Sequence, residues 1–359
     1  MNTNISDIAF LFNGKKRPIS GELYPVFGGN GIVDYSDESN AKDCVIIGRV
    51  GAYCGSVYRS EGPCWITDNA IGVQAKDKVN IDFLYYLLCS LHLNRKQIGA
   101  AQPLLTQKII SEICVSIPEL CVQEKIASIL CSLDQKIQVN RRINDNLQQQ
   151  ARTLYKSWFV DFEPFNHVRP NNWKTGKLKD ILQLNRRAFK PGSNKSLPYL
   201  PIDTIPMNTF AIDEFKANDE AQSSLITFDK DDIIIGAMRV YFHRVVLAPC
   251  AGITRTTCFV LTPFDRAYLS FALLCCDQDS SIEYAQSTSK GTTMPYAIWE
   301  GGLGDMEICI PTYEIARKFN ELILPILKKI QSSYFENNYL REMRDTLLPS
   351  LLSSNGRLS

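Results

Sequence analysis

Residues 117–157 read IPELCVQEKIASILCSLDQKIQVNRRINDNLQQQARTLYKS, and residues 310–350 read IPTYEIARKFNELILPILKKIQSSYFENNYLREMRDTLLPS. Laid over each other without a gap, they set Ile117-Pro118 on Ile310-Pro311, Lys125 on Lys318, and Lys136-Ile137-Gln138 on Lys329-Ile330-Gln331. Further on, Asn144 meets Asn337, Leu147 meets Leu340, Thr153-Leu154 meets Thr346-Leu347, and Ser157 meets Ser350. Eleven identities over 41 positions mark an internal duplication, and a repeat of this kind dictates the architecture around it.

In the first copy the seam positions step by four and three: Ile126, Leu130, Leu133, Ile137, Asn140, Asn144, Leu147, Ala151, Leu154 and Trp158. That spacing is a coiled-coil seam. The second copy keeps the register with Phe319, Ile323, Ile326, Ile330, Ser333, Asn337, Leu340, Arg344, Leu347 and Leu351. Both seams turn polar in the middle. Packed antiparallel about a local two-fold axis, they would face Asn140 with Asn337 and Asn144 with Ser333, a layer that fixes register at some cost in stability. An intermolecular dimerisation coil would carry similar heptads, but duplication inside one chain favours an intramolecular pair. About 40 residues at 1.5 Å each make a rod of about 60 Å, longer than one DNA turn of about 34–36 Å. Pro325 predicts a kink or a helix start within the second stretch, because proline removes a helix hydrogen bond.

Upstream of the seams the copies match more loosely. Val45-Ile46-Ile47-Gly48 resembles Ile233-Ile234-Ile235-Gly236, each with a tyrosine five residues after the glycine, Tyr53 and Tyr241. Gly99 to Ile117 likewise resembles Gly291 to Ile310, sharing Pro103 and Pro295. The plan is domain, helix, domain, helix. The expected fold is α/β (α+β): two globular domains separated by two long antiparallel helices that form an intramolecular coiled coil with pseudo-two-fold symmetry. Strands are expected at Cys44 to Gly48, Ile113 to Ile117, Ile233 to Gly236 and Met306 to Ile310, with apolar helices at Ile81 to Leu93 and Ala267 to Cys276. Two similar helices suggest one mechanical role, whereas two diverged domains on equivalent mounts suggest that each reads something different.

The 359 residues, 45% hydrophobic and 21% charged, suffice for two ordinary cores. No apolar run approaches the roughly 20 residues that span a bilayer, and Met1 to Phe12 lacks a basic segment followed by an apolar signal core, so a cytoplasmic protein without membrane contact is expected. The 12 cysteines fall singly in apolar runs, as at Cys44, Cys89, Cys114 and Cys309, or adjacent at Cys275-Cys276, with no CxxC pair. They read as small core hydrophobes, without a metal or disulfide framework. Net charge is +1, yet Lys174, Lys177, Lys179, Arg186, Arg187, Lys190 and Lys195 face only Asp180 over 22 residues, which is either a phosphate-contacting surface or a solvated basic face.

No catalytic constellation emerges. Pro25-Val26-Phe27-Gly28-Gly29-Asn30-Gly31 fits an FxGxG methyltransferase loop, but Ile32-Val33-Asp34-Tyr35-Ser36-Asp37 follows it as strand and turn where a helix is required. The Asn/Asp-Pro-Pro-aromatic motif of base methylation, a GxxxxGK[ST] loop and a repeated nuclease motif are all missing from the sequence. His92, His167 and His243 stand apart, so no triad or metal cluster can be drawn. A structural adaptor joining two protein partners and a fused methyltransferase-like enzyme are the rival readings to a DNA reader.

From Leu154 to Phe165 the chain places Tyr155, Trp158, Phe159, Phe162 and Phe165, five aromatics in 12 residues. Such a run either plugs the joint between helix and domain or anchors another subunit, as Trp and Phe often do. With Gln102-Pro103-Leu104-Leu105-Thr106-Gln107-Lys108 and the heptads, the run Lys-Ser-Trp-Phe-Val-Asp-Phe-Glu-Pro-Phe at 156–165 resembles the specificity subunit of type I restriction-modification systems over essentially the full length. The resemblance implies a subunit without catalysis of its own, with target-recognition domains at 1–118 and 161–311 and helical conserved regions at 119–160 and 312–359. It implies that each recognition domain reads half of a split double-stranded DNA sequence while the helices set the gap. It further implies two methyltransferase subunits that modify adenine with S-adenosylmethionine, and restriction subunits that use ATP and Mg; no cofactor is expected in this chain. Trp158, Phe159, Phe162 and Phe165 are the candidate partner anchor. The second copy carries Leu347-Leu348-Pro349-Ser350-Leu351-Leu352 instead of the aromatic run, which departs from that pattern.

Base edges are read by side chains with paired donors or acceptors, arginine suiting guanine and asparagine or glutamine adenine. The loop candidates are Lys15, Lys16, Arg17, Asn30, Arg49, Tyr53, Gln102, Thr106 and Lys108 in the first domain. In the second they are Arg186, Arg187, Lys190, Lys195, Arg239, Tyr241, His243, Arg244, Ser289 and Lys290. The lysines suit phosphate better than bases. Arg49 and Arg239 stand out because each follows shortly after the equivalent Ile-Ile-Gly strand end.

Overall fold

The run Val45-Ile46-Ile47 has no polar position to turn outward, so a strand built from it must be covered on both faces. In a computed structural model of the protein, which describes residues 2–98, 103–194, 196–221 and 224–353, that is how it lies. The chain divides into two compact units, Met1–Lys136 with Leu340–Ser359, and Ile137–Tyr339.

In the first unit the strand Ala41–Gly48 sits third in a six-stranded sheet ordered Ala9–Asn13, Ala70–Ala75, Ala41–Gly48, Val57–Ile66, Tyr24–Gly28 and Gly31–Ser36. Only the Tyr24–Gly28 and Val57–Ile66 pair is parallel. Val45 and Ile47 enter a core with Ile5, Phe83, Leu84, Leu88, Ile126, Leu130 and Leu351. Cys44 and Ile46 point the other way, onto Phe27, Cys64 and Ile66, as the two-residue period of a strand requires. The covering helix, Ile81–Ser90, starts at Asn80, whose side chain accepts from the amides of Asp82 at 3.0 Å and Phe83 at 2.9 Å. A short strand, Cys114–Ser116, pairs antiparallel with Asn2–Asn4.

The second unit repeats the theme on its own strand, Ile233–Gly236. Ile233 and Ile235 join Phe271, Leu273, Phe319, Ile323 and Ile330 in one core, while Ile234 faces Leu200, Phe228, Val246 and Val260. Its sheet runs Leu182–Leu184, Cys258–Pro263, Ile233–Gly236, Val245–Leu247. A second sheet runs Ala188–Phe189, Leu225–Phe228, Gly252–Arg255, Tyr199–Leu200, and Glu307–Ile310 pairs with Lys174–Lys177. The helix Leu269–Cys276 is buried along its whole length.

The duplicated stretches are helices of 40 residues, Leu120–Phe159, and 41 residues, Tyr313–Ser353. In the second unit they pack antiparallel: Asn140 Nδ2 donates to Asn337 Oδ1 at 3.0 Å, and Asn144 Nδ2 to the Ile330 carbonyl at 3.4 Å. Asn144 Oδ1 and Ser333 Oγ are buried without a hydrogen-bond partner among the described residues. In the first unit Arg344, the arginine in the seam, donates to Asp134 at 2.7 Å, and Tyr86 donates its hydroxyl to the same carboxylate at 2.7 Å. The helix start expected at Pro325 is not found. Pro325 lies exposed inside the second helix, which begins at Tyr313, and on that face the carbonyl deprived of its amide partner can be satisfied by water.

Candidate nucleic-acid interface

In each unit the apolar strand ends in a glycine and turns back through a loop of the same construction. Gly48 donates its N–H to the Ser56 carbonyl at 2.9 Å, and Gly236 to that of Arg244 at 3.0 Å. The returning strands pair Val57 with Ile47 and Val245 with Ile235. Between them lie single 3-10 turns, Gly51–Tyr53 and Val240–Phe242. A second segment closes on each loop. Gly51 N–H donates to the Pro103 carbonyl at 3.2 Å and Leu105 N–H to that of Arg49 at 2.8 Å; Arg239 N–H donates to Pro295 at 2.8 Å and Ala297 N–H to Ala237 at 2.8 Å. Isolated bridges complete the match, Val50–Leu104 and Ile98–Leu104 against Met238–Tyr296 and Lys290–Tyr296.

The backbone therefore equates Gly51 with Arg239 and Arg49 with Ala237. Arg49 and Arg239 both follow their strand ends, but they do not hold equivalent places. Gly51 and Arg239 both adopt positive φ, +72° and +50°, as do Gly55 at +91° and His243 at +50°. These turns push Tyr53 and Tyr241 outward, to 55% and 46% exposure.

In the first unit several sequence candidates meet around this loop. A Cβ on Gly48 would stand 2.4 Å from the Gly29 carbonyl oxygen, so only glycine lets the hairpin tip carrying the exposed Asn30 pack there. Arg49 N–H donates to the Asn69 carbonyl at 3.0 Å, and Gly14, beside Lys15, donates to Ala70 at 3.2 Å. Lys15, Asn30, Arg49 and Tyr53 thus lie on one rim. Lys16 and Arg17 are exposed next to it, with Arg17 held to Asp34 at 2.7 Å. Thr106 is used otherwise: its hydroxyl caps the helix Gln107–Ser111 by accepting from Ile109 at 3.3 Å. Lys108 is exposed, 4.0 Å from Glu112. Gln102 lies outside the described residues.

In the second unit the loop gathers Arg239, Tyr241, His243 and Arg244, with Lys290 exposed on the closing segment. The Arg244 guanidinium lies over the Phe242 ring, 4.9 Å from its centroid. The Nε atoms of both Arg244 and Arg49 are buried without a hydrogen-bond acceptor among the described residues. His243 is bound elsewhere, its ring 13% exposed and held by Asp277 at 3.0 Å. Ser289 spends its hydroxyl on the Ala285 carbonyl at 2.7 Å. Arg186, Arg187 and Lys190 sit at the edge strand Ala188–Phe189 of the other sheet, with Arg187 paired to Asp229 and Asn185. Lys195 lies outside the described residues.

The aromatic run is largely internal. Phe159 is 6% exposed, with Phe319 at 4.7 Å and Phe271 at 4.8 Å between ring centroids. Trp158, Phe162 and Phe165 are half-buried against the same core and Trp173, so any surface left for a partner is theirs and not that of Phe159. Sequence reasoning missed Asp277 and Arg152, whose pairing spans 125 positions, and Tyr296, which faces Lys290 across the closing segment. Among the described residues no helix is long and apolar enough to cross a membrane.

Residues 3–149 match the type I restriction modification DNA specificity domain. The chain is 26% identical over 331 residues to the type I restriction enzyme MjaIX specificity subunit of Methanocaldococcus jannaschii, covering 83% of this chain and 74% of that protein. It is 24% identical over 361 residues to the HindI specificity subunit of Haemophilus influenzae, covering 76% of each. The crystal structure of a type I restriction-modification system S subunit from M. genitalium shares the fold, with a TM-score of 0.67 at 16% identity over 99% of this chain and 96% of that one. With its duplicated helices and its two variants of one loop, the chain is similar over most of its length to the specificity subunits of type I restriction-modification systems.

Proposed function

We propose that the chain reads a bipartite double-stranded DNA sequence, one half with the 48–56 loop and its rim in the first unit, the other with the 236–244 loop in the second. The observation that carries this reading is the matched backbone of the two loops combined with unmatched side chains. One scaffold with different side chains is what reading two different base sequences calls for. Arg49, Arg239 and Arg244 suit guanine edges, Asn30 suits adenine, and Lys15 and Lys290 suit phosphate. The recognition domains are taken as 1–118 and 161–311. The helical regions 119–160 and 312–359, at 1.5 Å per residue, are long enough to set a gap of more than one DNA turn. The polar layer of Asn140, Asn144, Ser333 and Asn337 would hold their register.

In this reading the chain is the non-catalytic, DNA-specifying subunit of a larger complex. Two methyltransferase subunits would dock on it and carry S-adenosylmethionine, with the exposed faces of Trp158, Phe162 and Phe165 as an anchor. Restriction subunits would bring ATP and Mg. Methylome sequencing of a host that expresses the chain with its methyltransferase tests this. A split motif methylated on adenine, lost when the chain is deleted, is the expected result; a methylome unchanged by deletion would overturn it.

A further inference from the structure

Asp277 follows the buried helix Leu269–Cys276, and its carboxylate is 1% exposed. It lies at the negative end of its own helix, so it needs nearby cations to stay charged. Arg152 of the first long helix grips it with two donors along one edge of the guanidinium, Nε to Oδ2 at 2.7 Å and Nη2 to Oδ1 at 3.2 Å. On the other side, His243 Nε2 lies 3.0 Å from Oδ1 and 2.9 Å from the Asp277 carbonyl oxygen. Both partners are acceptors, so Nε2 carries the proton and the ring plane is fixed.

The contact closes on itself. Arg152 Nη2 also donates to the Asn208 carbonyl at 3.2 Å, and Asn208 N–H donates to the carbonyl of His243 at 2.9 Å. Arg152 stacks over Phe210 at 4.8 Å. The ring His243, Asp277, Arg152, Asn208 therefore ties the loop to the first long helix by side chain and backbone together. We propose that His243 and Asp277 are positioning residues that lock the reading loop of the second unit onto Arg152, holding Arg239 and Tyr241 in their reading pose.

Among its described residues the first unit lacks this lock. There Gly55 stands at the place of His243, and a Cβ on it would lie 2.3 Å from the Asn94 backbone nitrogen, so that loop is clamped at this point by close backbone approach. The charged groups facing the His243 ring are Asp277, Asp279 (Nδ1 to Oδ1, 3.6 Å) and Arg152. The hydrogen bond to Asp277 raises the His243 pKa above its ordinary value, against burial and Arg152. The lock is therefore closed at lower pH and weakens as pH rises through that raised value.

The proposal rests on the DNA-reading assignment only for its consequence, and the tests separate the two. The chain has three histidines, so loss of one ring signal in His243→Gln identifies His243 in the NMR spectrum of the full chain. It should titrate above the ordinary value of about 6.5 and shift down in Asp277→Asn; titration at or below that value in the unsubstituted chain would overturn the lock. Amide exchange in residues 238–244 should quicken by about tenfold in Asp277→Asn and in His243→Gln, equivalent to about 1.4 kcal/mol of opening free energy, with residues 49–55 unchanged; equal exchange in all three chains would equally overturn it. In the methylome, either substitution should relax one half of the motif and leave the other intact, and an unaltered motif counts against the lock. Were the unsubstituted chain to direct no split motif at all, the DNA-reading assignment would fail, while titration and exchange would still decide on the lock.

Discussion

Gly51 and Arg239 hold the same backbone place in the two loops, both left-handed, and each donates its N–H to the carbonyl of a matching proline, Pro103 or Pro295. A left-handed conformation costs an L-residue roughly 1–2 kcal/mol, and glycine almost nothing. A Cβ at Gly51 would meet nothing within 4 Å among the described residues. The second loop thus keeps a strained arginine where the first keeps an unstrained glycine.

The Arg239→Gly substitution should accordingly raise stability by about 1 kcal/mol while weakening DNA binding. Urea denaturation and a binding titration on DNA carrying the methylated motif, run side by side, check the opposite signs. Loss of stability would show that the Arg239 side chain supports the fold and not the reading surface.

The polar layer gives a second pair of opposed signs. Ser333 Oγ is buried and unpartnered among the described residues, and such an atom costs about 1–3 kcal/mol, so Ser333→Ala should stabilise the protein by about 1 kcal/mol. Asn140→Ala should instead destabilise it by about 1–3 kcal/mol, because Asn337 Oδ1 loses its donor at 3.0 Å while remaining buried. Denaturation midpoints of the two variants should fall on either side of the unsubstituted chain.

How much of this was legible depended on the range of the interactions. The seam showed in the sequence because a heptad is local and survives without gaps, and Val45–Gly48 and Ile233–Gly236 showed because an uninterrupted apolar run ending in glycine admits few readings. The pairing of Gly51 with Arg239 was legible in the ungapped match of Gly48–Tyr53 to Gly236–Tyr241, whereas the join between loops and helices was hidden. The copies are offset by 188 positions at the loops (Gly48 to Gly236) and by 193 in the helices (Ile117 to Ile310), and only backbone hydrogen bonds reveal where the shift is absorbed. Thr106 looked like a base reader because a threonine in a loop and a threonine capping a helix have the same letter. His243 stood among the candidates for DNA contact, but its partner Asp277 did not stand out, since nothing in the neighbouring sequence announces a carboxylate that is buried by folding.

Arg344 occupies a seam position whose counterpart in the first helix, Ala151, is buried in an aromatic core. Its guanidinium survives there because Asp134 accepts at 2.7 Å, with Tyr86 on the other carboxylate oxygen. A double-mutant cycle with Arg344→Met and Asp134→Asn should give a coupling of about 1 kcal/mol, since both side chains are about three-quarters buried. The coupling should shrink only modestly between low and high salt. A coupling near zero would mean that the pair is screened as a surface pair would be.

The aromatic run separates packing from docking within two adjacent residues. Phe159 fills the core between Phe271 and Phe319, so Phe159→Ala should cost about 3–5 kcal/mol of stability. Trp158 lies half-buried, with Phe165 and Phe319 at 6.4 and 5.5 Å between ring centroids. Truncating it should cost about 1–2 kcal/mol of folding free energy. If Trp158 also anchors a methyltransferase subunit, Trp158→Ala should reduce co-purification of that subunit by more than its small stability loss explains, because a truncated aromatic hot spot commonly costs 2 kcal/mol or more of binding, roughly thirtyfold. Full recovery of the complex with Trp158→Ala, at a temperature where the variant stays folded, would confine the run to joining helix and domain and move the docking surface elsewhere on the chain.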